Sequence, residues 1–288
     1  MSRSVIGLLL ASLLAAGCSR EPAGRRYQLQ GQILAVEADK RQVLIRHGDI
    51  PGFMPAMTMM FGVKDPALLA GKKPGDLVTA TLFVSDTRAH LLTLDTTGFA
   101  PIAQEAGDRP VASTVPILDR GERVPNQTLV DAGGGTRHLA DWQGQALALT
   151  FIYTRCPMPE FCPRMDRQFA EVQRAIAGDV RLAGRARLLS VTFDPAYDTP
   201  AVLAAHAKTV GANPAIWTFA APPAADTAAF AGRFGVFVER PTGDAVTITH
   251  NLRTAIIDRD GRIVKVYTGN EWTPAEVVAD LKAIVSAW

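Results

Sequence analysis

Short stretches of alternating apolar and polar residues fill the first third of the chain: "YQLQGQILAV", "QVLIRH", "DLVTATLFV" and "AHLLTL", separated by turns bearing Gly or Asp. A period of two turns one face of each segment to a core and the other to solvent, which predicts short strands. No long helical period interrupts them, so residues 27–97 are expected to form a small all-β barrel or sandwich. The pattern ends at "GFAPIAQEAGDRPVAST", whose Pro, Gly and Ala content makes residues 98–116 the expected linker.

From residue 117 to 288 the periods mix. "ALALTFIY" and "ARLLSVTF" are continuous apolar runs of buried-strand length. Between them, Met165, Phe169, Val172 and Ile176 recur at helical spacing. Thr199 before Pro200 predicts a capped helix carrying Val202, Leu203, Ala207 and Val210. "AIWTF" predicts a further strand, and 226–234 a short helix. "TAIIDRDGRIVKVY" reads as a hairpin turning at Asp260-Gly261. Thr273, Pro274 and Glu276 form a capping box that opens a last helix. Strand, helix, strand, helix, hairpin, helix is an α/β order with an antiparallel edge.

Composition narrows the class. The 288 residues suffice for two domains, and 48% hydrophobic with 20% charged residues is globular rather than disordered. A formal charge of +2 gives no sign of nucleic-acid binding. The N-terminus places Arg3 before an almost wholly apolar run over 5–16, then "LAAGC". That run is too short to span a bilayer comfortably and predicts an export signal over 1–18. Small residues directly before Cys18 resemble a bacterial lipoprotein signal, although Ala15 stands where the commonest version has leucine. Such a signal implies a lipidated Cys18, a tether over 19–26, and a mature protein on the periplasmic side of a membrane.

With Cys18 so used, Cys156 and Cys162 remain of the three cysteines. They flank "PMPEF", after a buried strand and before a predicted helix. A redox pair, two metal ligands and a plain disulfide all fit that placement, although closing so short a loop constrains the unfolded chain little. A helix start at Cys162 favours its thiolate. Among five histidines, His90, His138 and His206 read as structural or exposed. His250, just before the hairpin, can face the loop after the first strand, and two sulfurs with one imidazole suit Cu(I). In the first domain "HGDIPGFMPAMTMMF" gathers His47, Met54, Met57, Met59 and Met60. In an extended segment Met57 and Met59 share a face, and thioethers favour Cu(I). Met60 reads as core packing.

The "MPAMTMMF" stretch in its β-rich surroundings resembles the CusF type of periplasmic copper-binding domain, a small OB-like barrel. The resemblance implies His47, Met57 and Met59 as ligands of Cu(I), with Met54 as a further sulfur. The tryptophan that caps the ion in that family has no counterpart within 27–97. Residues 117–288 resemble the SCO/SenC family of thioredoxin-like copper proteins through the cysteine loop, "SVTFDPAYDTP", and His250 ahead of "AIIDRDGRIV". This implies copper held by Cys156, Cys162 and His250, as Cu(I) or alternatively Cu(II). It also implies Asp194 beside the site and delivery to the CuA-bearing subunit of cytochrome c oxidase or another copper protein. The family spaces its cysteines by three residues, whereas here five intervene, among them Met158 as a substitute or transient ligand.

The expected function is therefore a membrane-anchored copper metallochaperone. Two alternatives stand beside it: a thiol–disulfide oxidoreductase acting on cysteines of a copper-site protein, and a copper-resistance or buffering protein.

Overall fold

A computed structural model describes residues 23–102, 115–239 and 248–287. The expected export signal with Cys18, residues 19–22 of the tether and residues 103–114 of the linker lie outside the described residues.

The first domain is a five-stranded antiparallel sheet of β1 (Gly24–Glu37), β2 (Gln42–His47), β3 (Met57–Gly62), β4 (Asp76–Ser85) and β5 (Ala89–Phe99), in the order β3-β2-β1-β4-β5. A bridge between Val63 and Leu91 brings the two edges together. Alternation does the folding: Val43, Ile45 and His47 point into the core, and Gln42, Leu44 and Arg46 do not. Two boundaries differ from expectation. β1 begins at Gly24, inside the segment read as tether, because Gly24, Arg25 and Arg26 pair with Ser85, Val84 and Phe83. A Cβ at Gly24 would stand 2.3 Å from the Phe83 ring, so only glycine lets the strand start there. β5 likewise runs to Phe99, paired with Asp76, into the stretch read as linker.

The second domain opens with a hairpin that the sequence pattern did not reveal, β6 (Thr128–Asp131) and β7 (Thr136–His138). Then follow β8 (Ala146–Ile152), α1 (Cys162–Gly178), β9 (Ala186–Thr192), α2 (Pro200–Thr209), β10 (Trp217–Ala221) and α3 (Thr227–Arg233). The short pair β11 (Val238–Glu239) and β12 (Thr249–His250) precedes β13 (Arg253–Ile257), β14 (Ile263–Thr268) and α4 (Pro274–Ser286). The seven-stranded sheet runs β14-β13-β8-β9-β10-β6-β7, with β8, β9 and β10 parallel and the outer strands antiparallel.

The predicted helix face is the buried one: Met165, Phe169, Val172 and Ile176 are fully enclosed. Phe169 lies 5.8 Å from Trp217 and 6.0 Å from Trp272, centroid to centroid. Each such side chain contributes about 1.5–3 kcal/mol by leaving water. On α2 only Leu203 of the predicted face is fully buried. The Thr199 cap and the Thr273/Glu276 capping box both form.

One close approach fixes the candidate end of the first sheet. Gly31 of β1 stands opposite His47, and a Cβ there would lie 2.4 Å from the Arg46 carbonyl oxygen. Gly31→Ala should therefore push β2 away and destabilise the first domain by about 1–3 kcal/mol, as overpacking does. Chemical denaturation followed by far-UV circular dichroism measures this, and an unchanged midpoint would refute the tight contact.

Candidate metal centres

In the first domain the strand register assembles the donors. His47 pairs directly with Met57, and Ile45 with Met59, so His47, Met57 and Met59 share the inward face. Between His47 and Met57 the chain folds back on itself. Ile50 bridges Met54, and Asp49 Oδ1 accepts a 2.7 Å hydrogen bond from the Ala56 amide. That fold buries Met54 in the same apolar cluster as Met59. Met60 lies on the opposite face of β3 and is half-buried, so the expectation of core packing is corrected: the pleat sends it outward.

His47 is 3% exposed. Its Nδ1 lies 2.7 Å from the Gly48 carbonyl oxygen, while Nε2 is buried without a hydrogen-bond partner. Burial lowers its pKa against the opposing Gly48 hydrogen bond and Asp49 charge, so the ring is neutral near pH 7. A neutral imidazole nitrogen beside uncharged thioether sulfurs is a donor set matched to Cu(I).

In the second domain the cysteines lie at the C-terminal end of β8. Cys156 follows the strand by four residues, and Cys162 opens α1. β13 pairs antiparallel to β8 with Thr254 opposite Thr150, so the chain entering β13 from His250 arrives at that same end. His250 stacks at 4.4 Å on Phe193 and meets Tyr153 edge-on at 5.6 Å. Its Nδ1 lies 3.0 Å from the Asn251 carbonyl oxygen, which leaves Nε2 for the cysteines.

Cys156 is the common neighbour. Burial opposes its ionisation, but hydrogen bonds from Cys162 and His250 and the His250 charge prevail, and its pKa falls well below that of an ordinary thiol. Burial pushes the Cys162 thiol well up, and the hydrogen bond and negative charge of Cys156 push it further. The sequence argument gave the thiolate to Cys162 at the helix start. The structure transfers it to half-buried Cys156, because Cys162 is enclosed beside an existing negative charge with Asp166 nearby. Among the described residues, no three His, Cys, Asp or Glu side chains already stand gathered as a metal site.

Asp194 is buried, with 1% of its surface exposed. Its buried carboxylate takes two hydrogen bonds from Arg155, from Nε at 2.9 Å and Nη2 at 2.8 Å. Four residues on, buried Asp198 accepts from the Thr154 amide at 3.1 Å and from the hydroxyls of Thr154 and Thr192. The two acids of "SVTFDPAYDTP" thus clamp the residues immediately before Cys156. Sequence reasoning missed Thr154, Arg155 and Asp198; the signal was a second acid one helical turn after Asp194 in a turn-forming segment. Tyr153 was missed as well: its hydroxyl hydrogen-bonds Cys156, and burial raises its pKa.

Of the other histidines, His90 packs beside Phe83 at 5.3 Å, and His138 is exposed at the end of β7. His206 Nε2 lies 2.9 Å from Asp166 Oδ2.

The SCO1/SenC family model matches residues 119–286, and the model for copper binding periplasmic protein CusF matches residues 26–94. Among solved structures, copper-bound ScoI of Bradyrhizobium japonicum is 27% identical, with 57% of this chain and 99% of that one covered and a TM-score of 0.48. BsSco, described as a member of the Sco family of cytochrome c oxidase assembly proteins, is 23% identical, with 60% and 99% covered and a TM-score of 0.50. Copper-bound ScoI of Arabidopsis thaliana is 15% identical, with 58% and 100% covered and a TM-score of 0.49. No curated protein matches the chain. With its family model spanning more than half of its length, the chain belongs to the SCO1/SenC family.

Proposed function

We propose that this protein is a copper metallochaperone with two Cu(I) sites, held on the periplasmic side of a membrane by lipid at Cys18. In this reading it delivers copper to the CuA site of a cytochrome c oxidase during assembly. The observation that carries it is the buried, partnerless Nε2 of His47, on a strand whose register sets it directly opposite Met57. Leaving such a nitrogen unsatisfied costs about 1–3 kcal/mol, and a soft cation seated there removes that cost. Membership of the SCO1/SenC family and the CusF match support copper as the cargo. Lipid supplies the attachment in this reading, and among the described residues no helix is long and apolar enough to cross a membrane.

The two donor sets act differently. His47, Met57, Met59 and Met54 are all neutral, so Cu(I) binds there without displacing a proton and is held by exchangeable thioethers. Cys156 offers a thiolate at once, His250 its Nε2, and Cys162 a thiol whose proton leaves on binding. Asp194 and Asp198 hold the Thr154–Arg155 segment, so Cys156 meets the ion from a fixed backbone.

Cu(I) titration of the mature chain under a competing chelator tests this. Two equivalents are expected; His250→Ala should lose one and Met57→Ala/Met59→Ala the other. Full occupancy in both variants would sink the reading. Transfer from the loaded protein to an apo CuA domain separates delivery from buffering, which retains the ion.

The asymmetry of the cysteines favours one other reading, a thiol–disulfide oxidoreductase with Cys156 as nucleophile and Cys162 as resolving thiol. Insulin reduction with turnover would support it. Both readings share one pH-dependent consequence. A lowered pKa means that Cys156 is already thiolate at pH values where ordinary thiols are protonated. In the reduced apoprotein, iodoacetamide should label Cys156 at neutral pH and below, while Cys162 resists until the protein unfolds. Peptide mass spectrometry reads this, and equal labelling would refute the assignment.

A further inference from the structure

One cleft of about 820 Å³ lies between the domains and is lined by donors from both candidate centres. Met57, Met59 and Met60 line it from the first domain, and Tyr153, Met158 and His250 from the second. β12, which ends in His250, runs within 8 Å of β3, which begins at Met57, Cα to Cα. The residue between the two donor sets is Met158, in the middle of the cysteine loop. It is 4% exposed and belongs to the first domain's buried cluster, with Met54 and Met59. Cys156 packs against the clusters of both domains, and its Sγ lies 3.9 Å from the Met158 carbonyl oxygen.

The loop is pinned rather than loose. The Phe161 amide donates to the Met158 carbonyl at 3.1 Å, and Asn270 Nδ2 donates to the Glu160 carbonyl at 2.6 Å. The Glu160 side chain accepts a hydrogen bond from the Ala89 amide of the first domain, and Arg167 Nη1 lies 3.4 Å from the Asp86 carbonyl. A five-residue spacer thereby holds one thioether in the first domain's apolar cluster and on the wall of the cleft that Met57 and Met59 also line, while the cysteine at its start faces His250.

We propose that Met158 is a relay ligand, carrying Cu(I) from the His47/Met57/Met59 donors to Cys156, Cys162 and His250 within one molecule. This rests on the two-site copper reading. The ion stays Cu(I) throughout, and no electron moves. A bond from copper to the Sδ of Met57 or Met59 breaks as one to Met158 Sδ forms. The Cys156 thiolate then displaces Met158, and Cys162 releases its proton to solvent as its sulfur binds. The direction follows charge: neutral sulfur donors give way to anionic ones. The shared cleft makes each exchange intramolecular, which raises the effective concentration of the acceptor.

The experiment uses the mature chain with Cys156 and Cys162 oxidised to a disulfide and one equivalent of Cu(I) on the first site. A phosphine then reduces the disulfide, taking up its oxygen equivalent from water. Stopped-flow absorption follows the Cu(I)–thiolate band. Wild type should load the cysteines at a rate independent of protein concentration. Met158→Leu conserves packing volume and should slow that rate by about tenfold or more, with both equilibrium affinities kept. X-ray absorption of the singly loaded oxidised protein should show the same sulfur count around copper in wild type and variant, because Met158 takes the ion only in transit. Two bound equivalents with equal transfer rates would overturn the relay alone. Fewer than two equivalents in wild type would overturn the two-site reading and the relay with it.

Discussion

Because Thr254 of β13 lies opposite Thr150 of β8, with their hydroxyls 3.0 Å apart, the chain enters β13 at the end of the sheet where β8 leaves it. The second domain's chemistry depends on that register. The cysteine loop is tied to the exit of β8, and His250 to the entrance of β13. A slip of one residue would turn the imidazole to the other face of the sheet. A strand connected the other way round would carry it to the far end. β8 is buried along its length and β13 from Thr254 onward, so the register is enforced by the whole core and not by the site.

Burial also sets the electrostatic character of the two centres. Around His47, desolvation keeps a nitrogen neutral and the site uncharged. Around the cysteines, the same effect raises both thiols, and only a hydrogen-bonded partner reverses it for one of them. The result is one thiolate and one thiol, with two buried acids behind the loop and Arg155 paired to one of them. Arg155 and the hydroxyls of Thr154 and Thr192 take up these acids, which thereby position the loop.

The periodic elements were legible in the sequence because they answer to short-range rules. The α1 face, the caps at Thr199 and Thr273, and the pairing of Met57 with Met59 on one face all follow from local spacing. The hairpin β6–β7 escaped notice because its turn, "DAGGGT", belongs to strands of only four and three residues, too short to show a period. The tether and linker boundaries erred where glycine at position 24 lets a polar segment pair, which depends on a ring in another strand. A helix start that favours a thiolate at Cys162 is visible in sequence, whereas the enclosure that pushes its thiol up is not. Met158 could be named as a sulfur, but its neighbours lie in a domain whose placement no local pattern encodes.

Beside the apolar packing of the cysteine loop, the polar links across the seam use main-chain atoms of the first domain. Arg167 reaches the carbonyl of Asp86, and Glu160 reaches the amide of Ala89. Both partners belong to the tip connecting β4 and β5, and neither uses the side chain found there. Apart from Arg88, whose charge favours the Glu160 carboxylate, side chains at that tip can therefore drift over evolutionary time without unfastening the two halves. An insertion or deletion is another matter, because it moves every amide and carbonyl along the ribbon. Selection at this hairpin should act on its length more than on its spelling.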